Sequence, residues 1–237
     1  LYPHAKFPFD NFNVVQSAIY KVYEEDANLV AASQTSSGKT VICEMMLAHE
    51  VRDRGGKGMY ISPLKALAQE KIDDWTDPSH HFHDLNLSIC TGDYQVTESR
   101  KKELQNANLI LMTSEMLSAR TRNINSEKNN WIKEVGTICV DESHLITVPG
   151  RGDHLEVALM KLTEINPNLR VVFLSATLPN VDEVCGWLSK LNNKSTYLIE
   201  SQYRPCPLDK HYEKYEKQGR DYGATEAAKI DAAERIV

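Results

Sequence analysis

The stretch SQTSSGKT, residues 33–40, decides the fold. It follows a short apolar run, Leu29 to Ala32, and precedes Val41, Met45 and Ala48, which recur at helical spacing. A turn of this composition between a strand and a helix directs backbone N–H groups at an anion sitting on the helix N-terminus. Ser33, Gln34, Thr35, Ser36, Ser37 and Gly38 would form the cradle, Lys39 would reach the β and γ phosphates of a triphosphate, and the Thr40 hydroxyl would ligate Mg²⁺. The strict phosphate-loop pattern asks for glycine where Ser33 stands, so the flanking sequence has to supply the rest of the case.

Outward from this loop, compact apolar runs recur at 58–62, 87–91, 108–113, 136–140, 170–174 and 196–199. Segments of helical period lie between most of them, such as Leu155, Ala158, Leu159 and Leu162. Strand runs without polar alternation are buried on both faces, as parallel strands under helices are. The sequence therefore predicts an α/β domain with a mostly parallel sheet of about seven strands covered by helices on both faces. An N-terminal helix is expected from Phe12, Val15, Ile19 and Val22, capped by Asp10 or Asn11.

Ligands of such sheets bind beyond the carboxyl ends of the strands. There the chain carries DESH, residues 141–144, after the run 136–140, and SAT, residues 175–177, after the run 170–174. Paired carboxylates at a strand end suit a magnesium-dependent nucleotide hydrolase, with Asp141 holding the metal through water and Glu142 taking a proton from the attacking water.

Composition narrows the class further. Twenty-seven Lys and Arg against 33 Asp and Glu give a net charge of −6, so a general electrostatic nucleic-acid binder is excluded, although local phosphate contacts are not. No run reaches the roughly 18 apolar residues of a membrane span, and LYPHAKFPFD lacks the pattern of a signal peptide, so an intracellular protein is expected. Five scattered cysteines with no CxxC pair read as reduced thiols. His80, His81 and His83 read as a solvated loop, because no further Cys or His stands at ligand spacing.

With these motifs in place, the chain resembles the first RecA-like domain of a superfamily 2 DExH-type helicase of the Ski-like branch. The likeness runs through FNVVQ (12–16), SQTSSGKT, SPLKALAQE (62–70), TGD (91–93), TSEML (113–117), DESH, SAT and YRPCPL (203–208), in family order. It implies that ATP is the nucleotide, Mg²⁺ the metal, and Gln16 the reader of the adenine edge. It assigns Lys39, Asp141 and Glu142 to catalysis, and His144, Ser175 and Thr177 to coupling between the nucleotide and nucleic-acid sites. Pro63, Leu64, Lys65, Thr91, Gly92, Thr113, Ser114 and Glu115 would grip the backbone of a single strand without reading bases. FNVVQ and RGDHLE look closest to repair and recombination members, which favours DNA over RNA.

Gln34 stands where the family commonly has proline, and Ser36 where it has glycine or alanine. The resemblance implies a 3′ to 5′ helicase lobe at 1–208, with 209–237 forming a linker and the start of a helix toward a second RecA-like domain elsewhere. Such a domain would supply arginines to the γ-phosphate. The alternative is a nucleotide-gated scaffold that binds nucleic acid or protein without productive unwinding. A small-molecule kinase shares Lys39 and Asp141 but has no use for SPLKAL, TSEM and SAT.

Overall fold

The computed structural model describes residues 5–91, 97–124, 126–148, 150, 152–176, 178, 180–205, 212–215 and 222–234. Chain contacts divide it into two units, Leu1–Arg204 and Pro205–Val237. In the first, seven strands form one sheet: β1 (Asn28–Ser33), β2 (Lys57–Ser62), β3 (Leu87–Cys90), β4 (Leu109–Thr113), β5 (Val135–Val140), β6 (Arg170–Ser175) and β7 (Thr196–Ser201). Their order is β3-β4-β2-β5-β6-β1-β7, and every neighbouring pair is parallel. The expected strand runs agree with these bounds to within two residues.

Helices α1 (Val14–Ser17), α2 (Lys39–Ala48), α3 (Lys65–Trp75), α4 (Glu98–Asn106), α5 (Ser114–Arg122), α6 (Gly152–Ile165) and α7 (Val181–Asn192) belong to the same unit. The residues on alternate positions of each strand separate into two cores, one on each face. Leu29, Ala31, Tyr60, Cys139 and Val172 pack with Val15, Ile42, Met45, Met46 and Trp75. Val30, Met59, Ile61, Ile138 and Phe173 pack with Leu117, Leu155, Leu159 and Leu188. Truncation of one of these, such as Ile42, is expected to cost about 2–5 kcal/mol. In the second unit, α8 (Tyr222–Glu234) is the one described helix.

Two local expectations are corrected. The N-terminal helix is a single turn, α1, continued by a 3-10 turn over Ala18–Lys21. Its cap is Asn13, whose side chain accepts the N–H groups of Val15 and Gln16, while Gln16 returns a bond to the Asn13 N–H. Strand β7 is not covered on both faces: it ends the sheet, and Tyr197 and Leu198 are exposed. Gly152 opens α6, and a Cβ there would lie 1.7 Å from the Ile146 carbonyl oxygen, so only glycine fits. Among the described residues, no helix is long and apolar enough to cross a membrane.

A buried cation fixes the lower end of the sheet. Arg170, fully buried on β6, donates to the carbonyls of Ala27 and Tyr23, and so ties the segment that follows α1 to the middle of the sheet. The Asn28 and Asn192 side chains bond each other and join β1 to α7.

Candidate functional site

Strand register brings the motif residues to one edge. Cys90 pairs with Met112, Ser62 with Thr113, and Ile61 with Val140, so Thr91, Thr113, Ser62 and Asp141 end four neighbouring strands at the same level. On the other side of β5, Ser175 pairs with Ala32, which puts the end of β6 beside the start of the 34–38 turn. Ser175 is fully buried. Thr177 and Gly92 lie outside the described residues, as does most of the YRPCPL segment.

The turn itself is held by cross-bonds. Ser36 and Gly38 both take left-handed backbone, with φ of 64° and 87°, and the reversal aims the chain into the start of α2. Ser33 and Ser37 hydroxyls share a 2.7 Å bond, and the Asn13 amide donates to the Ser37 carbonyl at 2.9 Å. Gln16 lies against Gly38 so closely that a Cβ on Gly38 would be 2.3 Å from the Gln16 amide nitrogen. Thr35, Ser36 and Thr40 are exposed, while Ser33 and Ser37 are buried. Lys39 donates to the carbonyls of Ser33 at 2.8 Å and Gln34 at 3.0 Å, which leaves one of its three N–H donors uncommitted by these bonds.

On the far side of β6 from the turn stands the 141–144 segment, at the end of β5. Burial holds the Lys39 ammonium below the usual lysine range, and the charges of Glu142 and Asp141 oppose that fall, so the three groups share one field. Asp141 is positioned by two donors: the Tyr60 hydroxyl at 2.6 Å on Oδ2 and the Glu142 N–H at 2.9 Å on Oδ1. Burial, and then the neighbouring Asp141 charge, push the Tyr60 hydroxyl far above the ordinary phenol range, so it remains a donor. Glu142 has left-handed backbone, φ 47°, a strain of about 1–3 kcal/mol for a residue with a Cβ. This bend leaves its carboxylate partly exposed, 3.3 Å from His144 Nδ1.

The donor set fits a nucleotide and a magnesium ion. A lysine held over a glycine turn suits a polyphosphate, and a carboxylate already occupied by two donors suits a metal reached through water. Glu142, next to it and open to the cleft, can accept a proton.

The other half of the edge is built differently. Ser62 Oγ donates to the Leu64 carbonyl, and Leu64 caps α3 with its side chain and that of Lys65 exposed. The Thr113 hydroxyl accepts the Met116 N–H at 3.5 Å, opening α5 with Ser114 and Glu115 in its first turn. Thr91 is buried at the end of β3, and Pro63 is half-buried between β2 and α3. Two helix N-termini therefore face the top of adjacent strands.

Sequence reasoning missed Asn13 and Tyr60. Asn13 was legible, because Asn with Gln three residues on is a capping-box pattern. Tyr60 left a weaker sign: a phenol inside an apolar strand run needs a polar partner.

A sheet of this order with a phosphate-type turn after β1 and paired carboxylates after β5 defines a P-loop motor domain. The profile of the family described as DEAD/DEAH box helicase matches residues 13–184, and the chain belongs to this family. It is 37% identical over 199 residues to the ATP-dependent DNA helicase Hel308 of Methanocella arvoryzae, covering 83% of this chain and 24% of that protein. It is 31% identical over 207 residues to the antiviral helicase SKI2 of Saccharomyces cerevisiae, covering 87% of this chain and 15% of that protein. The chain thus spans a quarter or less of these relatives.

Among solved structures, the helicase Lhr of Mycobacterium smegmatis, bound to ssDNA and AMP-PNP, superposes with a TM-score of 0.68 at 24% identity, over 81% of this chain and 26% of that one. The DUF1998 helicase MrfA gives 0.67 at 20% identity, over 81% and 31%. These two likenesses concern the fold.

Proposed function

We propose that the chain is the ATP-binding first lobe of a helicase that moves along a single nucleic-acid strand by hydrolysing ATP. The observation that carries the reading is that the glycine turn after β1 holds the Lys39 ammonium where the charges of Glu142 and Asp141 act on it. In this reading the 33–38 cradle and Lys39 hold the phosphates, Gln16 reads the adenine, and Glu142 takes the proton of the attacking water. Thr40 and, through water, Asp141 would hold Mg²⁺, which supplies charge neutralisation on the β and γ oxygens. Tyr60 keeps Asp141 turned toward that place.

His144, beside Glu142, together with Ser175 at the end of β6 and with Thr177, would pass the state of the nucleotide to the nucleic-acid site. Pro63, Leu64, Lys65, Thr91, Gly92, Thr113, Ser114 and Glu115 would meet the strand, through helix N-termini and hydroxyls rather than through net charge, in keeping with the −6 total. DNA is the preferred strand: relatives at 35–37% identity carry the name ATP-dependent DNA helicase. Residues 1–208 form the lobe, 209–237 lead toward a second RecA-like lobe of the same longer chain, and the protein works inside the cell.

The test is ATP turnover of the full-length protein with and without single strands. Turnover stimulated by the strand and lost in Lys39→Ala and Glu142→Gln is expected. Unstimulated turnover that survives both changes overturns the assignment, and ATP binding with no turnover in the wild type favours the scaffold.

A further inference from the structure

Away from the nucleotide cleft, α2 sends a second acidic side chain toward the segment that joins α3 to β3. Glu44 is buried at the middle of α2, five residues past Lys39. Its Oε2 lies 3.7 Å from His80 Nε2 and 3.6 Å from His81 Nε2. One ligand atom from each of the three residues falls within a 4.8 Å group. Of the three histidines expected as a solvated loop, His83 is exposed but His80 and His81 are packed: the side chain of His81 is 3% exposed, and its ring stacks at 4.2 Å on that of His80.

The orphan atom is the informative one. His81 Nδ1 faces the Lys6 carbonyl at 3.2 Å and so carries the ring proton, while the buried Nε2 has no hydrogen-bond partner. With the proton on Nδ1, the Nε2 lone pair faces a carboxylate oxygen. Two acceptors facing one another are repulsive unless a cation stands between them. Both are also oriented from behind: Trp75 Nε1 donates to Glu44 Oε1 at 3.0 Å, and the Lys6 carbonyl orients the His81 ring. Backing of this kind is what metal ligands receive.

We infer that Glu44, His80 and His81 form a site for a first-row divalent cation of the zinc class. A tetrahedral ion with ligands at about 2.0–2.1 Å needs ligand-to-ligand edges of about 3.3 Å, close to the two separations found. Two imidazoles with one carboxylate select zinc-like ions over Mg²⁺ and Ca²⁺, which take oxygen. The fourth position opens on a cavity of about 520 Å³ bordered by Asp73, Asp74 and Asp77 against one cation, Lys6, a net acidic lining that would leave the position to water. His80 is the adjustable ligand: its Nδ1 accepts the Phe82 N–H at 3.1 Å, so Nε2 carries the ring proton, and that proton must leave before Nε2 can bind an ion.

The experiment uses full-length protein stripped with a chelator and titrated with Zn²⁺ against a chromophoric competitor. A second titration uses Co²⁺, whose absorption reports four-coordination. One ion is expected per chain, at least about 10-fold weaker in Glu44→Gln and His81→Ala, less affected in His80→Ala, and unchanged in Asp141→Asn. Glu44→Gln keeps an acceptor for Trp75, so it decides the matter even if His81→Ala fails to fold. Equal affinity in wild type and Glu44→Gln overturns the site, as does absence of binding, or binding lost in Asp141→Asn instead.

Discussion

The two halves of the sheet edge are made of different materials. Over β1, β5 and β6 the polar groups are cross-bonded to one another, with left-handed backbone at Ser36, Gly38 and Glu142. Over β3, β4 and β2 the hydroxyls of Ser62 and Thr113 bond only to nearby backbone at the helix starts, Leu64 and Lys65 are exposed, and the backbone is ordinary. A pre-bonded site makes each member indispensable, because its loss strands a partner. A row of caps spreads the work, so that each loss is small.

Four substitutions test this contrast. The largest effect is expected at Glu142→Gln, which removes the proton acceptor with little change in shape: ATP turnover should fall by about 10²–10⁴ while nucleotide binding persists. Lys39→Ala should lower turnover by about 10²–10³, measured under the same strand-stimulated conditions. Tyr60→Phe deletes only the hydroxyl on Asp141 Oδ2, and about a 10-fold loss is expected together with a higher Mg²⁺ requirement in a metal titration. At the bottom of the scale, Lys65→Ala should weaken single-strand binding only a few-fold and reduce the salt slope by about 0.7. A loss of turnover at Lys65→Ala as large as that at Lys39→Ala would erase the distinction between the halves. A Tyr60→Phe protein with wild-type turnover would confine the pre-bonded region to the turn and Glu142.

The sheet was readable because strands buried on both faces leave unbroken apolar runs, and the phosphate turn because its residues are contiguous. The exposure of the edge strand was not, since TYLI reads the same whether it lies inside the sheet or at its edge. Contacts made at long sequence distance were equally silent. Tyr60 meets Asp141 across 81 positions, and Glu44 meets His81 across 37, so spacing rules that look for neighbouring ligands could find neither. Asn13 was close enough in sequence to be found, but the acidic and amide residues just before it compete for the same role.

The bare face of Gly38 carries a last implication. Because nothing separates Gln16 from that residue, the proposed reader of the base rests directly on the proposed cradle of the phosphates. Discrimination among nucleobases and grip on the triphosphate tail are then not independent dials. Selection for a looser choice of fuel would have to tolerate a slacker hold on the fuel itself.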